Sequence, residues 1–450
     1  GTLVAPSLPG DERLRALFQP DPRTGVFRAE GHRYREVVLR LRALGVPYED
    51  RARRFEPLEV SLAEAIQPFP HQREALEAWK AAGGRGLVEL PTGAGKTLLA
   101  VLAIAHVQRP ALVVVPTLDL MAQWQGVLSR HLGIPVGLLG GGVSDRQPVT
   151  VTTYDSAAAQ TEFHGNRFGL LVCDECHHLP APSYRFIAQG SIAPYRLGLS
   201  ATLERADGGE KVCEALLGPL VHRSEISELK GEFLAPYEVT RVEVPLTDEE
   251  QRTHDEARAR YLGFVRSHGI HFGSPGGWAR FLAESQRSDE GRAAYRAYRE
   301  QRRIALTSRA KVDVLWRILR EHRDERVIVF TEDNDTVYTL ARWLLLPALT
   351  HHTPVPERKA LLAAFAAGEL PALLTSRVLN EGVDVPDASV GVILSGSGSV
   401  REHVQRLGRL LRKRPGKRAR LYELCSRGTA EANISERRRQ HGAYREGEGC

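Results

Sequence analysis

The stretch Leu90-Pro91-Thr92-Gly93-Ala94-Gly95-Lys96-Thr97 leaves this chain few options. It joins a short, mostly apolar run, Gly86 to Leu90, which reads as a strand, to an apolar run, Leu98 to Val107, which reads as a helix. A glycine-rich turn between strand and helix aims successive backbone N–H groups at a phosphate. A lysine at its end reaches the terminal phosphates, and the next hydroxyl serves Mg²⁺. Thr92, Gly93, Ala94, Gly95, Lys96 and Thr97 are therefore a candidate cradle for ATP and Mg²⁺. The strict pattern has glycine where this chain has Leu90, but the Gly-Ala-Gly-Lys-Thr half keeps the phosphate-facing part.

At 450 residues the chain exceeds one ordinary domain, and 42% hydrophobic content is enough for real cores. A formal net charge of +6 favours polyanionic partners only where the basic residues cluster. No apolar run reaches the roughly eighteen residues of a spanning helix, and no basic stretch precedes an apolar signal core. The expectation is a cytoplasmic protein without a membrane segment. Five cysteines are too few for a disulfide framework. Cys173-Asp174-Glu175-Cys176-His177 matches a haem-attachment spacing and half a zinc site, yet no second cysteine pair follows at zinc-ribbon spacing. Its carboxylates have a better use.

Residues 1–65 read as a small α/β module, with a strand at Val26-Phe27-Arg28 and an amphipathic helix from Arg35 to Leu44. Arg33, Arg35, Arg40, Arg42, Arg51, Arg53 and Arg54 form either a solvated face or a nucleic-acid contact. Gln72 lies some twenty residues before the cradle, where its amide can read both edges of an adenine; a plain helix-start residue is the alternative. Strands at Ala111–Val115, Val149–Thr152 and Gly169–Cys173 then alternate with helices, a rhythm that implies a mostly parallel sheet binding ligands at the carboxyl ends of its strands. Asp174 and Glu175 stand at such an end. The first can hold Mg²⁺ through water, and the second can orient and deprotonate the attacking water. After Tyr195–Leu199, the hydroxyls of Ser200 and Thr202 can bond the Asp-Glu-Cys-His segment and report the γ-phosphate.

Residues 246–306 break the rhythm. They read as two long helices, Asp248–His268 and Trp278–Ile304, joined by a turn at Gly273-Ser274-Pro275-Gly276-Gly277. Their interleaved arginines and aromatics suit either a grip on a nucleic-acid backbone or ordinary packing. A second β/α series follows, with strands at Val327–Thr331, Ala372–Thr375 and Val390–Leu394. Gly382 and Asp384 lie in a turn, and Gln405-Arg406-Leu407-Gly408-Arg409-Leu410-Leu411-Arg412 sits in a dense basic run. On one helix Arg409 and Arg412 share a face that can be presented to a nucleotide held by the other half of the protein.

In order, Gln72, the 90–97 loop, Pro116-Thr117, Thr153-Tyr154-Asp155, Asp174–His177, Ser200-Ala201-Thr202, Val329-Phe330-Thr331, Glu381–Asp384 and Gln405–Arg412 resemble the superfamily 2 helicases over about 66–430. Within that group the chain looks like the XPB type. Residues 1–65 sit where a damage-recognition-like domain belongs, 246–306 where a thumb insertion belongs, and Arg205-Ala206-Asp207 where the family carries Arg-Glu-Asp. The resemblance implies an α/β fold of two RecA-like parallel-sheet lobes (66–225 and 226–450) with those two additions. It implies an ATP-dependent DNA helicase or translocase of 3′ to 5′ polarity in repair or transcription, acting as a monomer with a possible nuclease partner. It also implies nucleotide contacts at Gly382 and Asp384, closure through Gln405, Arg409 and Arg412, and DNA coupling through Thr117, Thr153, Tyr154, Ser200, Thr202, Arg205, Asp207 and Thr331. An RNA-directed helicase, a double-strand translocase and a non-catalytic DNA-binding scaffold are the rival readings.

Overall fold

The computed structural model describes residues 2–63, 66–203, 208–224, 228, 237–274, 276–376, 388–394 and 419–429. The chain divides into two compact units, with the boundary near residue 230.

The first unit opens with an antiparallel sheet in the order β1-β3-β2 (Thr2–Ala5, Val26–Glu30, Gln19–Asp21). Two helices accompany it, α1 (Glu12–Arg15) and α2 (Tyr34–Ala43), and Asp11 caps α1 by accepting from the Leu14 N–H at 2.8 Å. Leu3, Leu14, Phe18, Tyr34 and Val37 make its core, together with Phe55 and with Ile192 from the larger part of the unit. Most of its arginines are spent locally: Arg40 pairs with Asp11, Arg33 with Glu36 and Arg51 with Glu49.

The larger part is an eight-stranded sheet in the order β11-β4-β10-β9-β5-β8-β6-β7. Its strands are β4 (Arg85–Glu89), β5 (Ala111–Val115), β6 (Val136–Gly140), β7 (Val143–Asp145), β8 (Val149–Thr153), β9 (Leu170–Cys173), β10 (Tyr195–Ser200) and β11 (Leu220–Arg223). All neighbours are parallel except β6 and β7. Around it lie α3 (Pro70–Ala81), α4 (Lys96–Val107), α5 (Leu118–Leu132), α6 (Tyr154–His164), α7 (Pro182–Gln189) and α8 (Glu210–Leu217). The apolar strand runs are buried on both faces, as a parallel sheet between helical layers requires.

The amino-terminal edge of this sheet is laced by the chain that precedes it. Arg35 Nη1 donates to Gly83 O at 2.5 Å, before β4, and to Pro194 O at 3.2 Å, before β10. Arg54 N donates to Asn166 O and Asn166 Nδ2 to Ala52 O, both 3.0 Å, before β9. Val60 N donates to Gln108 Oε1 at 2.9 Å and Gln108 Nε2 returns to Val60 O at 2.6 Å, before β5. Ala63 N donates to His131 O at 2.8 Å, before β6. Sequence order along residues 35–63 thus follows spatial strand order across the sheet.

The second unit carries an all-parallel six-stranded sheet in the order β12-β17-β16-β13-β15-β14 (Tyr237–Val244, Ala419–Ser426, Val390–Ile393, Val327–Phe330, Ala372–Thr375, Ala348–Leu349). The two predicted long helices are three: α9 (Asp248–Ser267), α10 (Gly277–Arg287) and α11 (Asp289–Thr307). The break falls at Ser288, which turns extended and caps α11 by accepting from Gly291 N at 2.9 Å. Tyr261 and Phe264 are buried with Phe281 and Ala294 in the core of this helical group, so packing, not base stacking, accounts for them. Helices α12 (Arg309–Glu321), α13 (Asn334–Leu344) and α14 (Val355–Ala367) complete the unit. Arg302 to Glu332 at 2.6 Å and Arg299 to Asp335 tie α11 to the loop and helix that follow β13.

Candidate active site

Three neighbouring strands of the first sheet, β4, β10 and β9, end side by side. They lead into the 90–97 loop, the Ser200–Thr202 segment and the Asp174–Glu175 pair, so residues as distant in sequence as Leu90 and Thr202 meet at one edge. The loop needs its glycines. Gly93 and Gly95 have φ of +88° and +83°, which L side chains rarely adopt. A Cβ on Gly95 would also meet the Gln72 amide nitrogen at 2.1 Å. Gly95 caps the start of α4, so the first amides of a twelve-residue helix face the loop.

Gln72 sits inside the first turn of α3, which starts at Pro70. Its Nε2 donates to Ala94 O at 3.0 Å, while its Oε1 accepts from Phe69 N at 3.1 Å. His71 adds a ring nitrogen 2.9 Å from the same Ala94 O. The amide therefore shapes the loop through its backbone. The Thr92 hydroxyl is buried without a hydrogen-bond partner among the described residues.

Lys96 reaches across the loop, with Nζ 3.2 Å from Glu175 Oε1 and 3.5 Å from Leu90 O. Glu175 adopts φ +46°, ψ +51°, a strained backbone for a non-glycine residue and of the kind that gathers at functional sites. Burial alone would raise its carboxyl, but Lys96 and His177 outweigh that and hold it below the usual carboxylate range. Its Oε2 lies 3.4 Å from His177 Nδ1. The same Nδ1 is 3.1 Å from the Ser200 hydroxyl, which donates to Thr202 O at 2.7 Å. The bond expected from the Ser-Ala-Thr segment to the Asp-Glu-Cys-His segment is thus present.

Asp174 is 5% exposed; burial and the adjacent Glu175 charge push it up to about 6. Its Oδ1 accepts from Glu175 N and its Oδ2 from Trp124 Nε1, both at 3.0 Å. Tyr154 donates its hydroxyl to Asp174 O at 2.9 Å, binding the end of β8 to the carboxylate pair. Thr117 and Thr153 stand at the carboxyl ends of β5 and β8 as N-caps of α5 and α6. Thr331 lies in the second unit, buried after β13, with its hydroxyl donating to Asp333 O at 3.0 Å. Arg205, Asp207, Gly382, Asp384, Gln405, Arg409 and Arg412 lie outside the described residues.

Sequence reasoning missed Trp124, His71 and the ring of His177. An indole at helical spacing reads as one more apolar face, and its N–H has no signature until the acceptor is located.

The donor set suits a Mg²⁺-bound nucleotide: one lysine paired with Glu175 beside Asp174, a Thr92 hydroxyl with no hydrogen-bond partner among the described residues, and a loop with no room for a side chain at Gly95. Among the described residues no helix is long and apolar enough to cross a membrane.

Comparison with known proteins agrees with this arrangement. Residues 1–52 match the Xeroderma pigmentosum group B helicase damage recognition domain, 65–205 the type III restriction enzyme res subunit, and 310–414 the helicase conserved C-terminal domain. The chain is 37% identical to a DNA 3′-5′ translocase XPB2 of Sulfurisphaera tokodaii, over 92% of this chain and 96% of that one. It is 31% identical to a DNA 3′-5′ helicase XPB of Mycobacterium tuberculosis, over 92% and 71%. The Hef helicase domain of Pyrococcus furiosus shares the fold, with a TM-score of 0.55 at 20% identity over 82% of this chain and 98% of that one. With the cradle, the carboxylate pair and the hydroxyl relay converging on one sheet edge, and with a relative this similar along nearly its whole length, the chain belongs to the XPB-type superfamily 2 helicases.

Proposed function

We propose that this chain is an ATP-driven DNA motor of the XPB type, a 3′ to 5′ helicase or translocase serving repair or transcription. The observation that carries the proposal is the meeting of Lys96, Asp174 and Glu175 at the ends of β4 and β9, with Ser200 and His177 behind them.

Bound Mg²⁺-ATP supplies the scissile phosphoanhydride. Gly93 to Lys96 turn backbone amides and one ammonium toward its phosphates, and Thr97 with Asp174 would hold the metal. Glu175, kept ionised beside Lys96 and His177, accepts the proton of the attacking water. Before that, Lys96 must exchange its contact with Glu175 for phosphate. Gln72 sets the loop from behind, and reading an adenine edge would require its amide to exchange the bonds to Phe69 N and Ala94 O. Arg409 and Arg412, with Gln405, Gly382 and Asp384, are proposed to close on the nucleotide from the second lobe. A separate nuclease partner and a monomeric motor remain part of the reading, on family resemblance alone.

The test is ATP turnover measured side by side with single-stranded DNA, duplex DNA and RNA. Stimulation by DNA supports the proposal. Stimulation by RNA alone favours the RNA-directed reading, and no turnover with any of them leaves a scaffold. Fork unwinding measured beside turnover separates a helicase from a translocase.

A further inference from the structure

We propose that the amino end of the second sheet carries a docking groove for an acidic segment of a partner protein, which seats an apolar side chain beside Trp316.

The groove has a volume of about 540 Å³ and opens where β13 and β15 begin, at Val327 and Ala372. Its apolar wall is made by Trp316 and Leu319 of α12, with Leu346 and Pro371 from the segments that precede β14 and β15. Trp316 is 49% exposed. Leu345, next to Leu346, is 88% exposed and has φ +53°, a left-handed backbone that a leucine rarely holds. A half-exposed indole beside an apolar groove gains contact area only from a group that enters the groove.

The first unit shows how such an edge is covered. There the amino end takes the run Phe55-Glu56-Pro57-Leu58-Glu59-Val60, with Phe55 and Val60 buried, both glutamates exposed, and Leu58 N donating to Gln108 O at 3.0 Å. A Cβ on Gly169, just before β9, would lie 3.0 Å from the Phe55 ring. An extended stretch with apolar anchors between acidic residues therefore suits the start of a parallel sheet in this fold, and among the described residues none lies in the groove of the second sheet.

Charge selects the occupant. Arg317, Arg320 and Arg323 line the groove against one carboxylate, Glu321. Arg317 and Arg320 are exposed without an acidic partner among the described residues, whereas Arg299, Arg302 and Arg303 of the same unit are each paired. A second copy of this chain would set arginine against arginine, and the run Arg437-Arg438-Arg439 of the chain itself has the same sign. Nucleic acid has the right charge, but a wall of Trp316, Leu319, Leu346 and Pro371 offers its sugars and phosphates no side-chain hydrogen bonds beyond the indole N–H. An acidic segment with an apolar anchor satisfies both the wall and the arginines.

The probe is a phage-displayed random peptide library panned on the full chain, with the Trp316→Ala protein as counter-selection. Enriched peptides should carry Asp or Glu around an aromatic or aliphatic residue. Enrichment of Lys or Arg, enrichment without charge bias, or no Trp316-dependent peptide at all overturns the proposal. For the most enriched peptide, fluorescence anisotropy should show binding weakened about 30-fold or more by Trp316→Ala, the scale of a hot-spot aromatic. Arg320→Glu should weaken it about tenfold, by a margin that shrinks at high salt. Arg320→Glu reverses an exposed charge, so it keeps the test decisive where Trp316→Ala harms folding, and DNA-stimulated turnover should stay at the wild-type level in both. Wild-type peptide affinity in Arg320→Glu removes the charge argument and the proposal with it. Self-association lost in Trp316→Ala would hand the groove to a second copy, and single-stranded DNA binding lost in both variants would hand it to nucleic acid; either result overturns the proposal.

Discussion

Two cations in the first unit, one buried and one partly buried, stand at opposite ends of its sheet. Arg196, near the start of β10, is fully buried and donates to four main-chain carbonyls, of Ala188, Ser191, Ala193 and Leu216, at 2.6–3.0 Å. Lys96, past the end of β4, has two longer contacts at 3.2 and 3.5 Å and is 11% exposed. Four of the arginine's five N–H donors are taken by main chain and the side chain is fully enclosed, out of a ligand's reach. The lysine shares a mobile charge with one carboxylate and can be drawn off by a phosphate. The same contrast runs along both edges: the amino end is laced by residues 35–63, while the carboxyl end gathers the carboxylates of Asp174 and Glu175 and the hydroxyls of Thr92, Ser200 and Thr202. Structure is fixed at one end and chemistry is available at the other.

Substitutions at the two ends should therefore fail in different ways. The largest effect is expected at the carboxyl end, where Glu175→Gln should cut DNA-stimulated turnover at least about 100-fold while ATP still binds, the scale of losing a general base. Turnover near the wild-type rate in that variant would erase the distinction between the ends. At the amino end Gln108→Gly should lower unfolding free energy by about 1–2 kcal/mol through loss of the bonds to Val60, yet leave turnover per folded molecule unchanged. Glycine tolerates the φ of +54° at Gln108, so the replacement adds no new backbone strain. A denaturation midpoint equal to wild type would show that the lacing contributes nothing.

A smaller effect is expected just past β10. Ala206 replaces the family's central acidic residue in a segment outside the described residues, so Ala206→Glu should raise fork unwinding per ATP about tenfold, worth roughly 1.4 kcal/mol, without changing turnover. Equal unwinding per ATP in wild type, Ala206→Glu and Arg205→Ala would remove the triplet from strand separation. The smallest effect belongs to Asp11. Arg40 and the Leu14 N–H lower its carboxyl from 3.8 to about 2, so its contribution is full above pH 4 and is lost as the pH falls toward 2. Thermal melting of Asp11→Ala should converge on wild type across that interval; a constant gap down to pH 2 would show that the carboxylate charge is not involved.

The carboxyl end was the legible one. Glycine spacing, a lysine after it and carboxylates directly after an apolar run are local patterns imposed by chemistry, and Ser200 could be joined to them because it directly follows the apolar run Tyr195–Leu199 downstream of both. The lacing has no such pattern. Its bonds at Arg54, Val60 and Ala63 are donated by backbone amides, which any sequence supplies, and their acceptors are found only once the strand order is known. Pairing of β12 with β17 was hidden by the same distance, with Tyr237 opposite Ala419. The break at Ser288 was missed because arginine-rich helical spacing continues through it, and a serine cap was outweighed by the periodicity.

The order of that lacing gives the first unit a mechanical grain. A pull on the amino-terminal module loads the Arg35 ties to Gly83 and Pro194 first, then the Asn166 pair, then the Gln108 pair, and the Ala63 bond last. The tether would peel like a seam, one stitch at a time, instead of resisting in shear with all stitches together. Under tension the first stitch to be loaded would lie directly before β4, so the strand that leads into the cradle would feel the load before the rest of the sheet.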